Sequence, residues 1–180
     1  SVNDVSLNNI CLDNCRNSLF ERLIHIENIN NRNEFTGVLR RQGRMHPDIA
    51  KFPNKMFYFK ENLQPVPLEH QTKKQLEYSL ESIDYLDDAL KAHRMVFIPS
   101  RFCKEPNISD KVNSEEAKIV TDILRRIYRF YGVKFNADKT VGVIVPYRNQ
   151  ISMIKKEIEK LGIPELEDIS IDTVERYQGS

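Results

Sequence analysis

The sequence has few cysteines and no long hydrophobic run, and both absences restrict the classes of protein it can belong to. Three cysteines, Cys11, Cys15 and Cys103, without a signal-peptide pattern, indicate a reducing compartment, which we expect to be the cytoplasm. Cys11 and Cys15 have no second Cys/His pair at a suitable spacing, so no metal site is predicted. No apolar stretch approaches the roughly 20 residues of a membrane span, so no membrane partner is expected.

The sequence also lacks a strong net charge and a complete catalytic motif. The formal net charge is only +1, which gives no support for nucleic acid or an acidic membrane as partner, although residues 38–60 are locally basic and 77–92 locally acidic. There is no G-x-x-x-x-G-K-[ST] loop to cradle a triphosphate with its Mg²⁺, no Ser–His–Asp order and no paired-carboxylate signature. The residues present therefore look like one half of a catalytic site.

Helical and strand patterns alternate along the chain. The predicted helices are 16–27, one starting at Pro47, 76–92, 114–131 and 147–162; the predicted strands are 35–41, 94–99, 140–146 and 169–174. In the helix from Pro47, the side chains of Ile49, Phe52, Met56 and Phe57 are predicted to face the core, with Pro53 kinking or splitting the helix. The order predicts an α/β sandwich with a central, mostly parallel sheet and helices on both faces.

Polar side chains follow three of the predicted strands. The clusters are Gln42 and Arg44; Tyr147, Arg148 and Gln150; and Thr173, Gln178 and Gly179. Ligands of parallel sheets bind beyond the carboxyl ends of the strands, so the clusters could converge on one edge.

Arg44 and Gln42 carry the chemistry of the first cluster. A guanidinium can grip a phosphate with two parallel hydrogen bonds and stabilise a transferring phosphoryl group, while Gln42 could orient a phosphate or water, or read a base. The alternative is that Arg44 makes a structural salt bridge and His46 caps the next helix.

The other two clusters suit a nucleic-acid backbone. In "PYRNQ" (146–150), Tyr147 could stack on a base and the helix N-terminus offers amide donors to a phosphate. The alternative is a routine helix start with Asn149 as cap. In "DTVERYQG" (172–179), Thr173 offers a hydroxyl to a phosphate and Gly179 allows close backbone approach, while Tyr177 favours a core position.

These motifs, in this order, resemble the second RecA-like motor domain of superfamily 1 helicases, in the branch of the nonsense-mediated-decay RNA helicase and its DNA-acting relatives. The segments that carry the resemblance are "SLFERL" (18–23), "RRQGRMHPDIAKFPNKMFY" (40–58), "NSEEAKIV" (113–120), "VGVIVPYRNQ" (141–150) and "ISIDTVERYQG" (169–179). Gly43 stands where relatives have an aromatic, and Glu175 where they have Asp.

The resemblance implies a fold and a set of roles. It implies a RecA-like (P-loop NTPase-type) three-layer sandwich. Arg44 would contact the ATP γ-phosphate and Gln42 would support it. Pro146, Tyr147 and Arg148 would lie near a bound single strand, Thr173 would hold one of its phosphates, and Gln178 and Gly179 would couple the nucleotide and strand sites.

The resemblance also implies a domain organisation. Residues 1–180 are expected to be part of a C-terminal motor domain that stops within motif V, with 60–93 as an insertion or variable segment. ATP and Mg²⁺ would be bound by the first RecA-like domain of a longer helicase acting on single-stranded DNA or RNA, so the fragment alone is expected to be inactive. Two alternatives stay open: a non-catalytic nucleic-acid-binding module, and the motor part of a nuclease or defence protein.

Overall fold

A computed structural model describes residues 18–32, 34–72, 78, 80–101 and 111–177. The chain divides into two compact units, Ser1–Lys73 and Lys74–Ser180. Cys11, Cys15, Cys103, Gln178 and Gly179 lie outside the described residues, so the predictions made for them stay predictions. No helix in the described part of the chain is long and apolar enough to cross a membrane.

The described residues of the first unit contain a short parallel strand pair and three helices. Its elements are α1 (Leu19–Ile29), β1 (Arg41–Gln42), α2 (Pro47–Met56), β2 (Gln64–Pro65) and α3 (Glu69–Thr72). Helix α1 begins with a capping box, in which the Ser18 hydroxyl accepts from Glu21 N and the Glu21 carboxylate accepts from Ser18 N. β1 pairs with β2 in parallel, with Gln42 opposite Pro65.

Helix α2 corrects part of the predicted core. Ile49, Phe52, Met56 and Phe57 are exposed, and the only buried residue of the helix is Ala50. The apolar spacing forms the helix, but no described element of this unit covers that face. Pro53 lies inside α2 without splitting it, and its carbonyl accepts from Phe57 N at the helix end.

The second unit holds the larger core. Its elements are α4 (Tyr85–Ala92), α5 (Ser114–Tyr131) with a 3₁₀ turn at Gly132–Lys134, β3 (Gly142–Val145), α6 (Arg148–Glu159), α7 (Pro164–Glu167), β4 (Ser170–Thr173) and α8 (Val174–Tyr177). Asn113 caps α5, and Gly132 ends it with a φ of 49°, where a side chain would be strained. The core is built from Ala117, Leu124, Val145, Ile154, Ile158, Leu166, Ile169 and Ile171.

The sheet of this unit is a parallel pair, β3 and β4, in the register Val145 to Thr173. Val145 is buried against the core, whereas Ile144, on the opposite face, is 55% exposed. The prediction that this strand is covered on both faces is therefore wrong for the described residues. The described strands form two separate parallel pairs, so the three-layer sandwich with one central sheet stays a prediction.

Residues 94–99 do not form the predicted strand. Val96 and Ile98 are partly buried while Met95 and Phe97 are exposed, so burial alternates as it does along a strand. No strand within the described ranges pairs with this segment, and without a ladder it is irregular chain.

Helix α4, in the acidic segment that precedes residues 94–99, contacts α5 through ion pairs. Asp87 is completely buried and forms ion pairs with Arg126, at 2.7 Å, and with Arg129, both on α5. Its carboxylate also accepts from Ile83 N at 2.8 Å. Burial opposes ionisation of Asp87, but these hydrogen bonds outweigh it and lower its pKa to about 2. Arg126 also pairs with Asp84 and Asp122.

Candidate functional site

The loop after β1 is held by the side chain of Gln42. Its Oε1 accepts from Arg44 N at 2.9 Å and from Met45 N at 2.6 Å, and its Nε2 donates to Met45 O at 2.8 Å. The buried Gln71 side chain of α3 adds hydrogen bonds from its Nε2 to Gln42 O and Met45 O. The backbone that carries Arg44 is therefore fixed from two sides.

The side chain of Arg44 is exposed on this fixed loop. Among the residues that the structure describes, none makes an ion pair or hydrogen bond with its guanidinium. The alternative of a structural salt bridge for Arg44 thus finds no partner within the described ranges. His46 does cap α2, since its Nδ1 accepts from Asp48 N at 3.1 Å, and this alternative is confirmed.

An open groove of about 470 Å³ lies beyond the carboxyl ends of β3 and β4. The register of the pair places Val145 beside Thr173, so the segments that follow both strands begin side by side. The groove is lined by Lys111, Pro146, Tyr147, Arg148, Asn149, Thr173, Glu175 and Arg176. Pro146, Tyr147, Arg148 and Thr173, predicted from separate motifs, are therefore brought together.

The start of α6 forms one wall of this groove. Tyr147 occupies the N-cap position and caps no amide with its side chain. Asn149 lies inside the helix, so its predicted alternative role as the cap is wrong. First-turn amides without a side-chain cap are natural donors to an anion.

A carboxylate lies in this otherwise basic groove. Hydrogen bonding with its own backbone and with the Thr173 side chain lowers the pKa of Glu175, and the charge of Arg148 acts in the same direction. Asp172 accepts from Thr173 N at 2.8 Å and lies 3.6 Å from Arg176 Nε.

Gln150 joins the groove to the start of α5. Its buried side chain donates to Asn113 O and accepts from Asn113 N, both at 2.8 Å. Two residues before Asn113, the Lys111 ammonium lies 5.3 Å from the centre of the Tyr147 ring, a cation–π contact. Gln150 therefore fixes the chain at Asn113, whereas the sequence had grouped it with ligand-facing residues.

We expect Gln150→Leu to destabilise the fold by about 2 kcal/mol, because it leaves the partly buried Asn113 N–H and C=O without their partners. Urea unfolding of the variant measures the loss. Asn149→Ala, at the exposed neighbouring position, is the control and should change stability by less than about 0.5 kcal/mol. Equal stabilities for wild type and Gln150→Leu would contradict the role of this amide.

Tyr177 has a structural contact but not the core position that the sequence favours, because it is only partly buried and lies outside the core cluster. Its hydroxyl donates to Ser170 at the start of β4, and its ring lies against Gly142, where a Cβ would come within 3.1 Å of the hydroxyl oxygen. Gly142 therefore provides the space in which Tyr177 packs.

The fold and the groove define an α/β protein with cationic side chains that follow the ends of parallel strands. Residues 15–180 match the AAA domain family, and the chain belongs to this family, whose fold is of the α/β P-loop type.

Helicases are among its relatives. The chain is 29% identical over 178 residues to an uncharacterized ATP-dependent helicase of Methanocaldococcus jannaschii, over 91% of this chain and 23% of the relative. It is 29% identical to a Regulator of nonsense transcripts 1 homolog of Neurospora crassa, over 90% of this chain and 14% of the relative. With Helicase SEN1 of Saccharomyces cerevisiae the identity is 26%, over 77% and 6%. These relatives support the resemblance to superfamily 1 helicases, and the chain spans less than a quarter of their length.

Proposed function

We propose that this chain is part of the second, C-terminal RecA-like motor domain of a cytoplasmic ATP-dependent superfamily 1 helicase or translocase. In this proposal it completes an ATP site whose P-loop and Mg²⁺ ligands belong to the first motor domain of the same protein. It also grips single-stranded nucleic acid, and cycles of closure around ATP move that strand. The observation that carries the proposal is the exposed guanidinium of Arg44 on a loop fixed by hydrogen bonds.

Arg44 is well placed to bind the phosphate of a nucleotide that another domain holds. Gln42 holds the amides of Arg44 and Met45, so the loop has little freedom to reorganise when a ligand binds. The guanidinium has no partner to give up within the described residues. An arginine prepared in this way can stabilise charge on a transferring phosphoryl group.

The groove suits a strand of nucleic acid. Arg148 and Lys111 supply positive charge for phosphates, and the uncapped start of α6 adds amide donors. Tyr147 is 48% exposed, and Lys111 over its ring leaves aromatic surface for a base to stack. Thr173 completes the wall, and its hydroxyl is the donor that we assign to a phosphate.

Arg148→Ala is expected to weaken binding of a single strand about tenfold, because it removes one charged hydrogen bond to a phosphate. The slope of log affinity against log salt concentration should become shallower by about 0.7, the value for one contact to a single strand. Fluorescence anisotropy of a labelled strand at several salt concentrations, with the full-length protein, measures both quantities.

Lys155→Ala provides the matched control for this experiment. Lys155 is exposed on α6, carries the same charge and does not line the groove. It should leave the affinity and the salt slope unchanged. If both variants lose affinity equally, the effect is one of overall charge and the groove is not the binding site.

A further inference from the structure

Glu175 presents an unexplained feature of the groove, a carboxylate among the groups that we propose to bind phosphates. Three cationic side chains, Lys111, Arg148 and Arg176, line the groove with it. A carboxylate repels the phosphates that these cations attract. It weakens binding of a strand unless the strand offers it a hydrogen-bond donor.

The carboxylate is ionised and keeps acceptor capacity. Hydrogen bonding with its own backbone and with the Thr173 side chain lowers the pKa of Glu175, and the charge of Arg148 acts in the same direction. An ionised carboxylate only accepts hydrogen bonds, and its two oxygens have about four acceptor positions. Glu175 is also exposed, so acceptor capacity remains on the side that a ligand can reach.

The sugar of the strand decides whether this carboxylate finds a donor. A deoxyribose–phosphate backbone contains acceptors only. A ribose–phosphate backbone carries a 2′-hydroxyl, a donor as well as an acceptor, on every nucleotide. Bases also carry N–H donors, but these are the same in both kinds of strand and do not distinguish them.

We propose that the Glu175 carboxylate accepts a hydrogen bond from a ribose 2′-hydroxyl and makes this groove select RNA over DNA. This inference rests on the proposed function, because it assigns a substrate class to the same strand site. Glu175 acts here as a specificity-determining residue: with RNA its negative charge meets a donor, and with DNA it meets only phosphates and a sugar without one.

The test compares single strands that differ only at the 2′ position. Homopolymers of uridine, deoxyuridine and 2′-fluoro-deoxyuridine of equal length are titrated with the full-length protein, its Glu175→Ala variant and a Glu159→Ala control. The fluoro-sugar favours the ribose conformation but has no donor, so it separates the hydrogen bond from sugar shape. Glu159 is exposed on α6 outside the groove and removes the same charge.

The wild type and the Glu159→Ala variant should bind the uridine strand about tenfold more tightly than the other two, the usual effect of one hydrogen bond to a charged group. Glu175→Ala should bind all three strands equally and should bind deoxyuridine at least as tightly as the wild type does.

Equal binding of the three strands by the wild type would overturn the inference. A uridine preference that persists in Glu175→Ala would do the same, and in both cases the proposed strand site would stand. No binding of any strand would overturn the proposed function and the inference together. Comparing the three strands on the wild-type protein needs no variant. The inference can therefore be overturned even if Glu175→Ala does not fold.

Discussion

Arg44→Ala is expected to lower the kcat of strand-stimulated ATP hydrolysis by the full-length protein by about 10³-fold, the effect of removing a transition-state arginine. The physical reason is the loss of a planar, positively charged donor pair from a loop that needs no rearrangement to present it. Steady-state turnover at saturating ATP and saturating single strand measures the effect. Arg44→Lys should recover only a small part of the rate, because an ammonium is a point charge without the two parallel donors.

Arg41→Ala is the matched control for this substitution. Arg41 is also exposed, lies three residues earlier on β1 and carries the same charge. Its removal should change kcat by less than about twofold if only the group at Arg44 touches the reacting phosphate. Equal losses in the Arg41→Ala and Arg44→Ala variants would show that the basic surface as a whole matters, and would contradict the specific role of Arg44.

Asp87→Ala is expected to lower the free energy of unfolding by about 3 to 5 kcal/mol, the cost of removing one partner from a buried ion pair. Arg126 is largely buried and would lose one of its carboxylates, and Ile83 N–H would lose its acceptor. This loss is a large fraction of the 5 to 15 kcal/mol that is typical of a folded domain. Chemical denaturation followed by circular dichroism measures it.

Asp88→Ala serves as the control, because Asp88 is exposed in the same first turn of α4. Its loss should cost less than about 1 kcal/mol, through the helix dipole alone. If the two variants were equally stable, the buried pairs of Asp87 would contribute nothing measurable.

The same network predicts a pH dependence. The pKa of Asp87 is about 2 in the folded chain, against an ordinary value of 3.8. A depressed pKa means that the unfolded chain binds the proton more tightly. The stabilisation is therefore fully present above pH 3.8 and is lost as the pH falls from there through about 2. Asp87→Ala should flatten this part of the curve of stability against pH.

Local signals in the sequence predicted helix α5 and the strand pair of the second unit, although not its residues 94–99. Helix α5 has the predicted bounds, 114–131, and it is delimited by local features: the N-cap Asn113, acidic residues in its first turn and Gly132 at its end. Strands β3 and β4 are short apolar runs next to helices, and their parallel pairing brings Tyr147 and Thr173 into one groove. These features depend on residues close together in the sequence, so they can be predicted from a single sequence.

Features that depend on distant residues could not be predicted in this way. Asp87 pairs with α5 across about 40 positions, and nothing around it in the sequence distinguishes it from the exposed Asp88. The contact of Lys111 with Tyr147 joins residues 36 positions apart, next to the hydrogen bonds between Gln150 and Asn113. The apolar face of α2 had the spacing of a core helix, but its burial depends on a covering element, which spacing alone does not provide.

The central claim is that this chain completes an ATP site which responds to a bound strand. The most direct test is ATP turnover by the full-length protein and its Arg44→Ala variant, each with and without single-stranded RNA or DNA. We expect a strand to stimulate the wild type and the variant to lose nearly all of that stimulated rate. A wild type without stimulation, or a variant as fast as the wild type, would contradict the claim and favour a nucleic-acid-binding module without motor activity.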